Sequence, residues 1–389
     1  MTASMPVGYN HPYVVDNKDR FISSALNKPA NSDIYSKEMA EFVTTMGRVA
    51  QPDYLPYAFY VEGGALAVEN SLKAAFDWKV RKNLAVGKGE KGSRIIHFKE
   101  CFHGRSGYTM SLTDSSDPRK TMYFPKFPWF KFDNPHMEFP FNDEKLQLLI
   151  ENEQKVVDGI KDVVNDNHGG IAALIIEPVQ GEGGDNHFRD QFLIQLKEIC
   201  VDNDIIFIFD EVQTGIGITG KMWAHEHFSV KPDIISFGKK TQVCGMLAGD
   251  KIYNLDNNVF KESSRINSTF GGNLVDMYRF KLILEIIEQE NLLVNATGMG
   301  EYLLKNIKNL SDNFPGYVTN PRGLGLFCAF DMPSGIERDK LISKLYENKL
   351  LILGSGDQSV RFRPHLNVTK EDIDIAINII FNVLQKMLN

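Results

Sequence analysis

The 389 residues contain only four cysteines, Cys101, Cys200, Cys244 and Cys328, scattered and without CxxC spacing. That excludes a disulfide framework and a cysteine metal site, and it makes the reducing cytoplasm the expected location. No apolar run approaches the roughly 18 residues needed to span a bilayer. The N-terminal stretch MTASMPVGYNHPYVVD has neither the basic region nor the apolar core of a secretory signal, so no membrane partner is expected. A basic excess is also missing. The 43 Lys and Arg against 50 Asp and Glu leave a formal charge of −7, whereas a dedicated nucleic-acid surface is usually basic. No GxGxxG follows a strand-like run, which argues against a dinucleotide-dependent oxidoreductase. No internal repeat or low-complexity tract is present.

What is there reads as an ordinary globular chain, 43% hydrophobic and 24% charged, long enough for two domains. Residues 65–79 have helical periodicity, with Val68, Leu72, Ala75 and Phe76 on one face. A strand is expected over 93–98, followed by the glycine-punctuated CFHGRSG. Five prolines among the aromatics of 113–141 predict a long surface loop. After a helix over 142–168, strands over 171–176, 205–209 and 233–237 alternate with helices over 191–202 and 221–228. This alternation predicts an α/β domain with a mostly parallel sheet. In such sheets ligands gather outside the carboxyl ends of strands, where Glu177, Asp210 and Lys239 fall. A long helix over 274–288 leads to a smaller C-terminal α+β unit, closed by a helix capped by Thr369 and Asp372. The expected division is an N-terminal segment 1–33, a large domain 34–276 and a small domain 277–389.

The chemistry begins with Lys239-Lys240 and Asp210, each just past or at the end of an apolar run. A lysine and a carboxylate delivered by two strand ends suit the opposite ends of pyridoxal phosphate. The amine condenses with the aldehyde, and the aspartate keeps the ring nitrogen protonated. Four further segments are each ambiguous alone. Glu62-Gly63-Gly64-Ala65 before a helix either receives a phosphate or is a plain turn. Phe102-His103-Gly104-Arg105 offers a stacking ring and a carboxylate-binding guanidinium, or a packed Phe and a solvated Arg. Glu182 and Asp185 sit in a glycine-rich loop; Asp185 and His187 lack a third metal ligand, so no metal is expected. Ser268-Thr269-Phe270-Gly271-Gly272-Asn273 binds phosphate or caps a helix.

Together the segments FYVEGGALAVENSLKAAFDWK, FHGRSGYTMSLT, EPVQGEGGDNHF, FDEVQTG, FGKKTQVCG and SSRINSTFGGNLVDM resemble class III pyridoxal-phosphate-dependent aminotransferases of fold type I. GGALAVEN and FGKKTQVCG make the chain most similar to the lysine 6-aminotransferases of that class. The resemblance runs from about Met5 to the C-terminus. In the lysine enzymes several dozen residues precede the equivalent of Ser4-Met5, which makes segment 1–33 short beside them. It implies that Lys239 carries the cofactor, with Lys240 as bystander. Asp210 would hold the pyridine nitrogen, Phe102 stack on the ring, and Gln213 meet its phenolic oxygen. Gly64 and Ala65 would hold the phosphate by backbone N–H groups, joined by Thr269 from a second copy in a homodimer. Arg105 would take a distal substrate carboxylate and Arg361 an α-carboxylate. Glu182, counted in the catalytic set with Lys239 and Asp210, would be a gate that pairs with Arg361.

The resemblance further implies transfer of the ε-amine of L-lysine to 2-oxoglutarate, giving 2-aminoadipate 6-semialdehyde and L-glutamate. Transamination of 4-aminobutyrate or ornithine, or an inactive homologue that keeps only the fold, are the alternatives.

Overall fold

The structure, a computed structural model, describes residues 4–388. Residues 1–3 of the expected N-terminal segment and residue 389 of the small domain lie outside the described residues. In chain order the first strands are β1 (Tyr57–Val61), β2 (Arg94–Phe98), β3 (Phe130–Phe132) and β4 (Ile171–Ile176). A two-stranded hairpin, β5 (Val179–Gln180) and β6 (Asn186–His187), follows, then β7 (Ile206–Asp210), β8 (Ile234–Phe237) and β9 (Cys244–Ala248). Seven of these form one sheet in the order β1-β9-β8-β7-β4-β2-β3. From β8 to β3 every pairing is parallel, and only β9 runs against its neighbours. The mainly parallel α/β sheet is the one that the alternation of elements predicts.

Strand β4 shows why this sheet carries no polar stripe. All six of its residues are buried, because helices cover both faces. Leu174, Phe207 and Phe209 pack with Phe192 and Leu196 of helix Asp190–Asp202 and with Ile160 of helix Asp143–Asp166. Ala173, Ile175 and Ile208 point the other way, toward Val68, Leu72 and Trp78 of helix Gly64–Ala85.

The second sheet is antiparallel: β10 (Thr319–Leu324), β11 (Phe327–Asp331), β12 (Leu353–Ser355) and β13 (Ser359–Phe362), ordered β10-β11-β13-β12. Phe330, Leu303, Leu345 and Leu384 form its core with the C-terminal helices, and that core is continuous with Phe237, Leu247 and Phe280. Helix Leu274–Gln289 therefore sits at the junction, and helix Lys37–Val49 lies along it with Phe42 fully buried. The closing helix Lys370–Leu388 has the expected cap, since Thr369 N donates to Asp372 Oδ2 and Asp372 N to Thr369 Oγ1.

Two expectations fail. Residues 221–228 hold only a short 3-10 turn, Ala224–His227. The N–H groups that would propagate a helix are taken by carboxylates instead: Ala224 and His225 donate to Glu211, and Trp223 donates to Glu226. The proline-rich segment also hides β3. As an edge strand paired only with β2, β3 tolerates prolines on either side because its outer groups need no partner strand.

All four cysteines are buried and unpaired. Among the described residues no helix is long and apolar enough to cross a membrane.

Candidate active site

The carboxyl ends of β2, β4, β7 and β8 converge on one buried cluster. Glu177, the residue after β4, accepts from Phe102 N (2.9 Å) and Gly181 N (3.0 Å), which ties the CFHGRSG loop to the β5–β6 hairpin. Asp210, the last residue of β7, accepts from Val212 N (3.0 Å) and faces His103 Nδ1 at 2.8 Å. Burial pushes the Glu177 carboxyl up to about 7; His103 works against that shift and Asp210 adds to it. Burial alone would lower the His103 imidazole, but Cys101 and the Asp210 carboxylate outweigh it and hold it well above its ordinary value. The imidazole contact orients the Asp210 carboxylate toward the cluster.

The lysine doublet divides in space. Lys240 is buried and its Nζ donates to the Gln213 carbonyl at 2.6 Å. Burial, with Lys239 and Arg363 adding to it, holds Lys240 well below the usual amine range. Its amine is thus committed to the fold. Lys239 has a left-handed backbone, φ 53°, and no hydrogen bond engages its Nζ among the described residues. Burial lowers its pKa, and Asp210 and Glu177 partly restore it. An uncommitted amine with a lowered pKa is a better nucleophile than an ordinary lysine.

Helix Gly64–Ala85 starts beside this lysine. A Cβ on Gly238 would stand 3.3 Å from Gly64 Cα, so the turn before Lys239 and the helix start are in contact. Gly63, at φ 99°, turns the chain into the helix, and the first-turn N–H groups have no intrahelical acceptor. Gly104, at φ 119°, lies against Ala65, where a Cβ would come within 2.5 Å of the alanine methyl. Phe102 is half-buried, and Gln213 is buried with Oε1 unpartnered.

Arg361 on β13 comes in from the second sheet. Its Nη1 lies 3.5 Å from both Glu182 Oε2 and the Gly181 carbonyl, and its Nε is buried without a partner. Burial, with Arg363 adding, lowers the Arg361 pKa, while Asp185 and Glu182 oppose that. The second Glu182 oxygen pairs with Lys120 Nζ. Arg363 forks onto Asp185 at 2.7 and 2.6 Å and lies 3.3 Å over the Phe327 ring. Arg105 and Thr269 are exposed, and neither side chain hydrogen-bonds to the buried cluster. Arg105 borders an open cleft of about 510 Å³ that Lys120 and Phe124 also line.

The structure thus brings Lys239, Asp210, Gly64, Ala65, Phe102, Gln213, Glu182 and Arg361 to one place. His103 lies inside the FHGR segment with nothing in the sequence to mark its role, and no spacing signals the Arg363–Asp185 pair. Among the described residues no group of three or more His, Cys, Asp or Glu could hold a metal. A free amine, a buried carboxyl group held by His103 and a helix start suit a flat cofactor with a carbonyl, a ring nitrogen and a phosphate. The unpartnered Gln213 Oε1 leaves a polar atom for it to meet.

The comparisons agree. A family model described as aminotransferase class-III matches residues 1–384. An L-lysine-epsilon aminotransferase of Mycobacterium tuberculosis is 47% identical over 379 residues, covering 96% of this chain and 84% of that protein. One from Amycolatopsis lactamdurans is 43% identical over 376 residues, covering 96% and 83%. A solved lysine aminotransferase from M. tuberculosis, in its internal aldimine form, superposes with a TM-score of 0.96 at 46% identity, covering 99% of this chain and 88% of that one.

Proposed function

The chain belongs to the class III aminotransferase family, and from that premise we propose that it transfers the ε-amine of L-lysine to 2-oxoglutarate. The products are then 2-aminoadipate 6-semialdehyde and L-glutamate. The named relatives support lysine as the donor. The observation that carries the dual use of two unlike substrates is Arg361 with Glu182 at 3.5 Å.

When bound, pyridoxal phosphate, the cofactor of this class, supplies an aldehyde for the amine and a protonated ring that takes up electron density. Asp210, oriented by His103, holds the positive charge at the ring nitrogen end. Lys239 would hold the cofactor through its amine, and the same amine would move the proton at the reacting carbon. Gly64 and Ala65 would receive the phosphate through backbone N–H groups, joined by Thr269 of a second copy. Phe102 would stack on the ring and Gln213 would contact its phenolic oxygen.

Glutamate places its α-carbon at the reacting position, so its α-carboxylate needs Arg361 while Arg105 takes the distal one. Lysine brings an uncharged ε-carbon there, and Glu182 keeps the buried Arg361 neutralised. An unpaired buried guanidinium would otherwise cost about 3–5 kcal/mol. We place the large domain at 34–276 and the small one at 277–389, with the working unit a cytoplasmic homodimer.

The test is glutamate formation from 2-oxoglutarate with L-lysine, L-ornithine or 4-aminobutyrate as donor. L-lysine should be fastest; faster turnover of either other donor overturns the assignment.

A further inference from the structure

The Glu182 carboxylate has two cationic partners. Its Oε2 faces Arg361 Nη1 at 3.5 Å, near the outer limit of a hydrogen bond, and its Oε1 pairs with Lys120 Nζ. Lys120 ends the turn Pro118–Lys120 in the proline-rich segment, far in sequence from the hairpin, and its Nζ also donates to Ser115 Oγ at 3.1 Å. Glu182 itself is fixed at the backbone, where its carbonyl accepts from Gly356 N at 2.7 Å. Side-chain exposures of 28% for Lys120, 24% for Glu182 and 7% for Arg361 show which cation tolerates being left alone. The outer, partly solvated lysine can be left unpaired at little cost, whereas the inner arginine needs an anion.

We propose that Lys120 is a positioning residue that retains the Glu182 carboxylate whenever a substrate carboxylate occupies Arg361. This rests on the gate reading above and adds the counter-charge that the displaced gate keeps. A carboxylate held at two points need break only one contact to open. Without Lys120, Glu182 would rest on Arg361 alone and would leave it for no charged partner. The dicarboxylate substrates would then lose affinity, while L-lysine, which leaves Glu182 in place, would lose far less. Lys120 thereby sets the balance between the two half-reactions.

The test is a double-mutant cycle on the cofactor-loaded protein with Lys120→Met, Glu182→Gln and both together. Calorimetric titration with glutarate, a dicarboxylate that carries no amine, reads affinity without turnover. Lys120→Met should weaken glutarate about tenfold, the scale of one charge-assisted hydrogen bond, and should have little further effect once Glu182 is Gln. Unchanged glutarate affinity in Lys120→Met overturns the proposal. So does an equal loss in the Glu182→Gln background, which would mean that Lys120 touches the dicarboxylate itself. Single-turnover rates of Glu182→Gln with L-lysine and with L-glutamate check the gate separately. Equal losses with both donors would remove the gate reading and this proposal with it, whereas a failed glutarate cycle beside a selective loss with lysine removes only the role of Lys120.

Discussion

At the scale of single residues, the division of labour between Lys239 and Lys240 makes the most direct prediction. Lys239→Ala should end transamination and leave no lysine that borohydride can join to the cofactor. Lys240→Met should keep that covalent link and lose about 1 kcal/mol of stability, the worth of one buried hydrogen bond. Peptide mapping of the reduced holoenzyme checks both; a modified Lys240 would reverse the assignment. The doublet itself was legible in the sequence, but spacing alone could not say which lysine the fold consumes. The resemblance points to Lys239, and the bond from Lys240 Nζ to the Gln213 carbonyl supports that reading. Glu177 makes a prediction about pH. With its carboxyl raised to about 7 from 4.5, the folded protein holds a proton there between those values that the unfolded chain has lost. This contribution to stability is full below pH 4.5 and is lost as pH rises through about 7. Glu177→Gln should remove that falling component, by up to about 3 kcal/mol, in melting curves of the cofactor-free protein across this window. Parallel curves for the two proteins would show that Glu177 is not held protonated.

At the scale of elements, the strands of the parallel sheet were legible because burial on both faces leaves short, unbroken apolar runs such as IAALII. The closing helix was equally plain from its cap and apolar face. What escaped was decided by side chains distant in sequence. Glu211 takes the N–H groups that would have continued a helix at Ala224, and β3 exists because β2 offers it an edge. The hairpin between β5 and β6 is the element on which the site depends most. Arg363 and Asp185, 1% and 0% exposed, fasten it to the second sheet. Arg363→Met should lower stability by about 3–5 kcal/mol, because it strands a buried carboxylate. Adding Asp185→Asn should recover much of that loss. The midpoint of urea unfolding measures both steps, and no recovery in the double variant would mean that Arg363 acts by packing on Phe327 rather than by charge.

At the scale of the whole molecule, Thr269 stands exposed while it is expected to serve a phosphate site. Sedimentation should show a dimer. Thr269→Ala should leave the dimer intact and weaken pyridoxal phosphate about tenfold in equilibrium dialysis, as loss of one hydrogen bond to a charged group does. A fully loaded monomer would exclude the shared site. The boundary expected at residue 276 falls in the first turn of helix Leu274–Gln289, so the proposed division lies within the helix that periodicity announces.

The four buried thiols add a property of another kind. Cys200 lies in the core of the large sheet and Cys328 in the small one, and burial pushes each thiol up to about 12. Neither can react while its own layer is closed, so a thiol reagent works as a clock with two hands. Alkylation of Cys200 times the opening of one layer, and alkylation of Cys328 times the other. If the two rates coincide, the molecule breathes as a single body; if they part, their ratio measures how independently its halves come undone.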